Sequence, residues 1–273
     1  MLRAHWSGYE IDSSEAAYEV KVPQPEALGT LVRALLGSGY FVRSYYLLFE
    51  EPMVRLRDFI KEHSDPKDKL AAKALEHLDK VIAKFDPSSY RASRMGVRAI
   101  EAILNYVGAH RQELLGAQLF RFELTEEQKE YWEDVGADFE FEPGQWIDET
   151  DFYSENEIPF DGVVLFLGCT FEKVSKLSPQ EQRRARRIAR GAGKRMDEFG
   201  ESPLWGESWA DLMQKDLERP MNVSLRVRLN PDATLSITGR WMEDGQFLYD
   251  YYTFLLQQAA KKAGAKIALH MVY

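Results

Sequence analysis

The chain has 273 residues, 45% of them hydrophobic and 12% aromatic, a composition that supports a substantial core in one large domain or two smaller ones and excludes a disordered chain. Its formal net charge of -9 argues against nucleic-acid binding by the surface as a whole, because phosphate repels a net-negative body. The single cysteine, Cys169, excludes an intramolecular disulfide, and no apolar run approaches a membrane span, so we expect a soluble cytoplasmic protein without membrane attachment.

Ala17 to Val22 alternates like a short strand, closed by Pro23 and Pro25. Leu28, Leu31, Val32, Leu35 and Leu36 predict one face of a helix that stops at Gly37. The aromatic run Tyr40 to Phe49 fits a strand or a helix. Pro52 to His63 reads as a helix with proline in its first turn. Asp65 and Pro66 read as the cap and first position of another, with Leu70, Ala74, Leu78, Val81, Ile82 and Phe85 on one stripe. Asp86-Pro87 breaks it, and Ser88 or Ser89 restarts a helix carrying Val97, Ile100, Ile103, Leu104 and Val107. Residues 52 to 116 are thus expected to be helical scaffold.

Phe122 to Asp161 differs from everything around it. It holds fifteen carboxylates against one basic residue, Lys129, with nine aromatic rings interleaved. A capping-box pattern, Thr125 to Gln128, opens it with a short helix, and periodicity is lost around Gly136, Pro143 and Gly144. Phe160 to Cys169 then reads as a buried strand. Ser178-Pro179-Gln180-Glu181 is a strong helix start, and that helix should run to Phe199 before Gly200.

Further on, Val223, Leu225, Val227 and Leu229 alternate with polar residues, Asn230-Pro231-Asp232 turns the chain, and Leu235, Ile237 and Trp241 alternate again. A helix from Gln246 to Ala263 and a last strand from Lys266 to Tyr273 complete a strand-strand-helix-strand unit. One sheet face should be apolar and helix-covered, the other lined by Arg226, Arg228, Arg240 and His270. The fold class is therefore α+β, with a helical N-terminal half and a mostly antiparallel sheet built on a C-terminal β-β-α-β unit. The chain divides into a mainly helical region with a short N-terminal strand, 1–118, and the acidic aromatic segment plus α/β unit, 119–273. The two can also form one continuous domain.

Few residues suggest chemistry. Arg183, Arg187, Arg190 and Lys194 recur every three or four positions and form one cationic stripe, widened by Arg184, Arg186 and Arg195. Such a stripe suits phosphate or nucleic acid. The preferred reading is a solvated face, or one paired with the chain's own carboxylates. Gly191-Ala192-Gly193-Lys194-Arg195 resembles the end of a P-loop but lacks the preceding strand, the first glycine and the Ser or Thr that would meet magnesium. Cys169 has no base nearby in sequence and reads as a buried, inert thiol. The five histidines do not pair at metal spacing, so we assign no metal and no cofactor.

A surface of acids and rings is adhesive toward a cationic partner. Trp146, Phe152 and Tyr153 lie among acids, where rings are hard to bury, and are candidate anchors. Asp148, Glu149, Asp151, Glu155 and Glu157 would supply the charge. We therefore expect a non-enzymatic binding module, an inhibitor or immunity protein that neutralises a cationic, nucleic-acid-acting toxin. The alternative is a metal-dependent hydrolase or nuclease that uses the same carboxylates with the basic helix for a phosphorylated substrate. Nucleic acid itself ranks below a basic protein partner such as a toxin or nuclease.

Overall fold

The computed structural model describes residues 17–22, 24–47, 49–85, 95–121, 162–197, 208–218, 221–240, 255, 257–262, 264 and 269–272. Six strands form one sheet: β1 (Ala17–Lys21), β2 (Phe41–Leu47), β3 (Val163–Phe171), β4 (Met221–Leu229), β5 (Leu235–Arg240) and β6 (Leu269–Val272). Their order is β2-β3-β4-β5-β1-β6, and every neighbouring pair is antiparallel. With helices packed around it the chain is α+β. Strands from both ends of the sequence share the sheet. β1 lies between β5 and β6, with Val20 opposite Ile237 on one side and Leu269 on the other. The C-terminal unit keeps its expected order, with residues 257–262 helical between β5 and β6, but its last strand pairs with β1 and not with β5.

Central position explains the composition of β3. Val163 through Cys169 are all buried, which a strand tolerates only when both of its faces are covered. At its far end Phe171 stands opposite Phe41 of β2, with ring centroids 4.5 Å apart, a cross-strand pair that ties the edge strand down. The turn after β4 is built by side chains. Asp232 Oδ1 accepts from the Thr234 amide at 3.0 Å, and Ala233 adopts φ 61°.

Between β1 and β3 the described residues form α1 (Leu28–Leu36), α2 (Glu51–His63), α3 (Lys69–Ile82), α4 (Val97–Ala109) and α5 (Arg111–Gly116). α4 is the pivot, packing on both α1 and α3, and α2 joins this array to β3. Ile100, Ile103, Leu104 and Val107 are fully buried there, the face that their spacing predicts.

Local boundaries depart from expectation in physically readable ways. α3 begins at Lys69, because Asp68 and not Asp65 is the cap. Asp68 Oδ1 accepts from the amides of Leu70 and Ala71 at 2.8 and 3.3 Å. Asp65 instead accepts from Lys67, holding the turn before the helix. The shift rotates the stripe: Ala71 is buried, while Leu70 is 38% exposed. α4 begins at Val97 after an uncapped Gly96, and Ser88 and Ser89 lie outside the described residues. α1 does end at Gly37, but in a right-handed conformation. The left-handed residue that turns the chain into β2 is Gly39, with φ 89°.

Among the described residues β3 is followed by α6 (Pro179–Asp197) and α7 (Trp209–Asp216), ahead of the helical residues 257–262. α6 opens with a reciprocal capping box. The Ser178 amide and hydroxyl donate to Glu181 Oε2 at 3.0 and 2.7 Å, and Ser178 Oγ accepts from the Glu181 amide at 3.4 Å.

Candidate functional site: the cationic face of α6

α6 is fixed on its inner side and at both ends. Ala185 and Ala189 are fully buried. Gly193 is buried against α7 so closely that a Cβ would meet the backbone of Ala210. Hence the glycines that resemble a phosphate loop sit inside a continuous helix, and Gly193 is there for close packing. Arg186 reaches Glu218 beyond α7 at 2.6 Å, and Gln214 donates to the Arg186 carbonyl at 3.0 Å. Asp197 Oδ1, in the last turn of α6, accepts from the amide of Trp209, the first residue of α7, at 2.7 Å. Lys262 approaches Glu181 at 3.8 Å.

This bracing leaves the opposite side to solvent. Arg183, Arg187, Arg190 and Lys194 are all exposed, and among the described residues none of them has an ion-pair partner. At 3.6 residues per turn they fall within about 60° of arc and span roughly 16 Å along the axis. They are a single file of cations, not a cluster converging on one point. Like charges three and four residues apart repel and destabilise an isolated helix, so the bracing on the other side offsets a cost that the stripe imposes.

The other arginine-rich surface differs from expectation. Arg226 does not line an open sheet face. It is 4% exposed, and its guanidinium carbon lies 5.1 Å from the centroid of the Phe166 ring. Burial, and to a smaller extent the Arg228 charge, push its pKa down to about 9, so it still carries its charge at neutral pH. The alternation that marks Arg226 as outward-facing assumes one solvated face, and the cover over β3 and β4 removes it. The Arg240 and His270 side chains lie outside the described set.

Cys169 is fully buried within β3, opposite Val223 of β4 and short of the strand's end. Burial raises its pKa well above the ordinary thiol range, which disables it as a nucleophile. No group of three or more His, Cys, Asp or Glu among the described residues can hold a metal. Trp146, Asp148, Glu149, Asp151, Phe152, Tyr153, Glu155 and Glu157 lie outside the described residues. Comparison with family models, curated proteins and solved structures finds no match to this chain. No helix among the described residues is long and apolar enough to cross a membrane.

One polar cluster has no signature in the sequence. His110, at the joint of α4 and α5, sets Nε2 2.9 Å from Asp68 Oδ2 and Nδ1 2.7 Å from Glu113 Oε2, while its ring stacks on Tyr106 at 4.3 Å. The Tyr106 hydroxyl bonds Ser64 at 2.8 Å. With its two ring nitrogens facing carboxylates, the imidazole is a clasp between two helix ends. The His110–Glu113 spacing is visible in sequence, but Asp68 is far away along the chain and only the fold brings it in.

Proposed function

We propose that the protein is a non-enzymatic binding module of the inhibitor or immunity type, which neutralises a cationic, nucleic-acid-acting partner through the acidic aromatic segment. The observation that carries this reading is the charge segregation of residues 122–161, fifteen carboxylates against one lysine. The α6 cations, the chain's densest positive file, find no carboxylate among the described residues. Steering by such a segment speeds encounter, and Trp146, Phe152 and Tyr153 supply residence time. The test is capture from a lysate of the native host with the full chain as bait, repeated with Asp148→Asn, Glu149→Gln, Asp151→Asn and Glu155→Gln combined. A basic protein held by the wild type, released by salt and lost in the variant, is the expected result. The same protein retained equally by the variant overturns the reading.

The exposed α6 cations favour a second reading, a metal-dependent hydrolase or nuclease that draws on the same acids for a phosphorylated substrate. Calorimetric titration with magnesium and manganese tests it. A stoichiometric site abolished by the fourfold carboxylate variant supports it, and no heat of binding removes it.

A further inference from the structure

We propose that the exposed face of α6 binds the phosphodiester backbone of a nucleic acid, with one strand lying along the helix axis. The shape of the site selects this ligand. A compact phosphate monoester needs several donors converging on one point, and these four cations are strung out in a line of roughly 16 Å. Along the axis of a B-form duplex one strand carries one phosphate per about 3.4 Å of rise, so about 16 Å of axis presents about five phosphates of that strand to a file of four cations. Three of the four are arginines, whose planar fork pairs phosphate oxygens bidentately.

The surroundings are consistent with a linear polyanion. Arg186, flanking the file, is occupied by Glu218. Asp197, at the C-terminal end of α6, has its Oδ1 engaged by the Trp209 amide. A membrane surface fits less well. An interfacial helix buries an apolar face in lipid, and the apolar face of α6, at Ala185 and Ala189, is already buried in the protein. The net charge of -9 opposes association at long range, but at physiological ionic strength it is screened beyond about 8 Å, and the file acts at contact. Cations in single file along a strand meet its phosphates, contacts that position a protein on nucleic acid without reading sequence.

The experiment is fluorescence-anisotropy titration of a labelled duplex and its single strand with the full chain, across salt. Four phosphate contacts give a slope of log affinity on log salt of about -3 to -4 for duplex and about -3 for single strand. This is roughly a hundred-fold loss between about 50 and 200 mM for the duplex. Arg183→Gln, Arg187→Gln, Arg190→Gln and Lys194→Gln combined should abolish binding. Lys67→Gln, Lys69→Gln, Lys73→Gln and Lys84→Gln, the same charge change on exposed positions in and around α3, should leave the slope intact, and circular dichroism verifies folding of both. No binding at about 50 mM salt, or equal loss in both variants, overturns the proposal. So does equal or tighter binding of polyglutamate or phosphatidylserine vesicles to the same face. The proposal stands apart from the acidic-segment reading: the α6 variant leaves every carboxylate of 122–161 in place, so either can fail alone.

Discussion

Replacing Asp68 should open the start of α3 and unfasten it from α4 at the same time. Oδ1 serves the cap and Oδ2 the clasp, so the two roles separate by choice of substitute. Losing an N-cap oxygen costs about 1 kcal/mol, with a range of roughly 0.5–2. A hydrogen bond to a charged group is worth about 1.5–3 kcal/mol when buried. Here Asp68 is 20% and His110 27% exposed, so we discount it to about 1 kcal/mol for solvent screening. Asp68→Ala should therefore lose about 2 kcal/mol. Asp68→Ser, which can still cap but cannot reach the imidazole, should lose about 1 kcal/mol. Hydrogen exchange reads the cap directly: the Leu70 and Ala71 amides should exchange roughly five- to tenfold faster in the alanine variant than in the serine variant, because 1.4 kcal/mol is a factor of ten. In a double-mutant cycle with His110→Gln, the serine variant should add nothing to the histidine change. Identical exchange in both Asp68 variants, or strict additivity with His110→Gln, would refute the shared-carboxylate account.

Gly193→Val forces a side chain into the backbone of Ala210, and overpacking of this kind costs about 1–3 kcal/mol; it should part α6 from α7, read as a lowered melting temperature with new protection-factor losses confined to those helices. Cys169 should resist a thiol reagent in the native protein at mildly alkaline pH and titrate to one thiol per chain in denaturant, and rapid native labelling would contradict its burial. The Glu26 carboxyl is held below its ordinary value of 4.5, first by a backbone hydrogen bond and then by Arg111 at 3.0 Å. A depressed carboxylate stabilises the fold above the unfolded value and loses that contribution as pH falls through the folded one. Glu26→Gln should therefore shrink the stability difference between pH 6 and pH 3, measured by urea unfolding at both (roughly the window set by a carboxylate near 4). An unchanged difference would remove Glu26 from the acid response.

The sequence discloses those elements whose signal is local. The Ser178–Glu181 capping box, the alternation of Leu225, Val227 and Leu229, and the Asn230-Pro231-Asp232 turn each depend on residues within a few positions of one another, and each forms as the pattern predicts. Boundaries fail where two local signals compete. Asp65-Pro66 is the stronger cap on paper, but Asp68 has a second partner in His110, and tertiary contact decides between them. Strand order was not legible at all. Nothing near Ala17 announces that β1 will separate β5 from β6, because pairing partners are set by packing and by how the chain crosses the sheet. The α6 file was legible as a stripe from its spacing. Its lack of ion pairs among the described residues was not, since a carboxylate far along the chain could have met it.

The two groups of arginines show why spacing alone does not name a site. Arg226 and Arg187 each occupy the polar phase of their element, one with a period of two and the other with a helical period. What separates them is cover. A strand in mid-sheet has two faces to fill, and once both are covered, an arginine on either face is desolvated and must find company such as the Phe166 ring. A helix on the outside of the fold has only one face to bury, and α6 fills it with the small residues Ala185, Ala189 and Gly193 beside a partly buried Ile188. So slim an inner face lets α7 approach closely and relies on capping and polar braces to hold the helix in place. The same economy keeps the long cationic side chains off the core and leaves them free along the outer line. A helix bearing a file of charge with no ion pair among the described residues retains a repulsion that folding alone does not require, and a bound polyanion would relieve it. Neutralising the file should accordingly stabilise the free protein slightly, by about 0.2–0.5 kcal/mol per pair removed, while abolishing the oligonucleotide complex. A variant that loses stability in proportion to its lost binding would place these arginines in the scaffold instead.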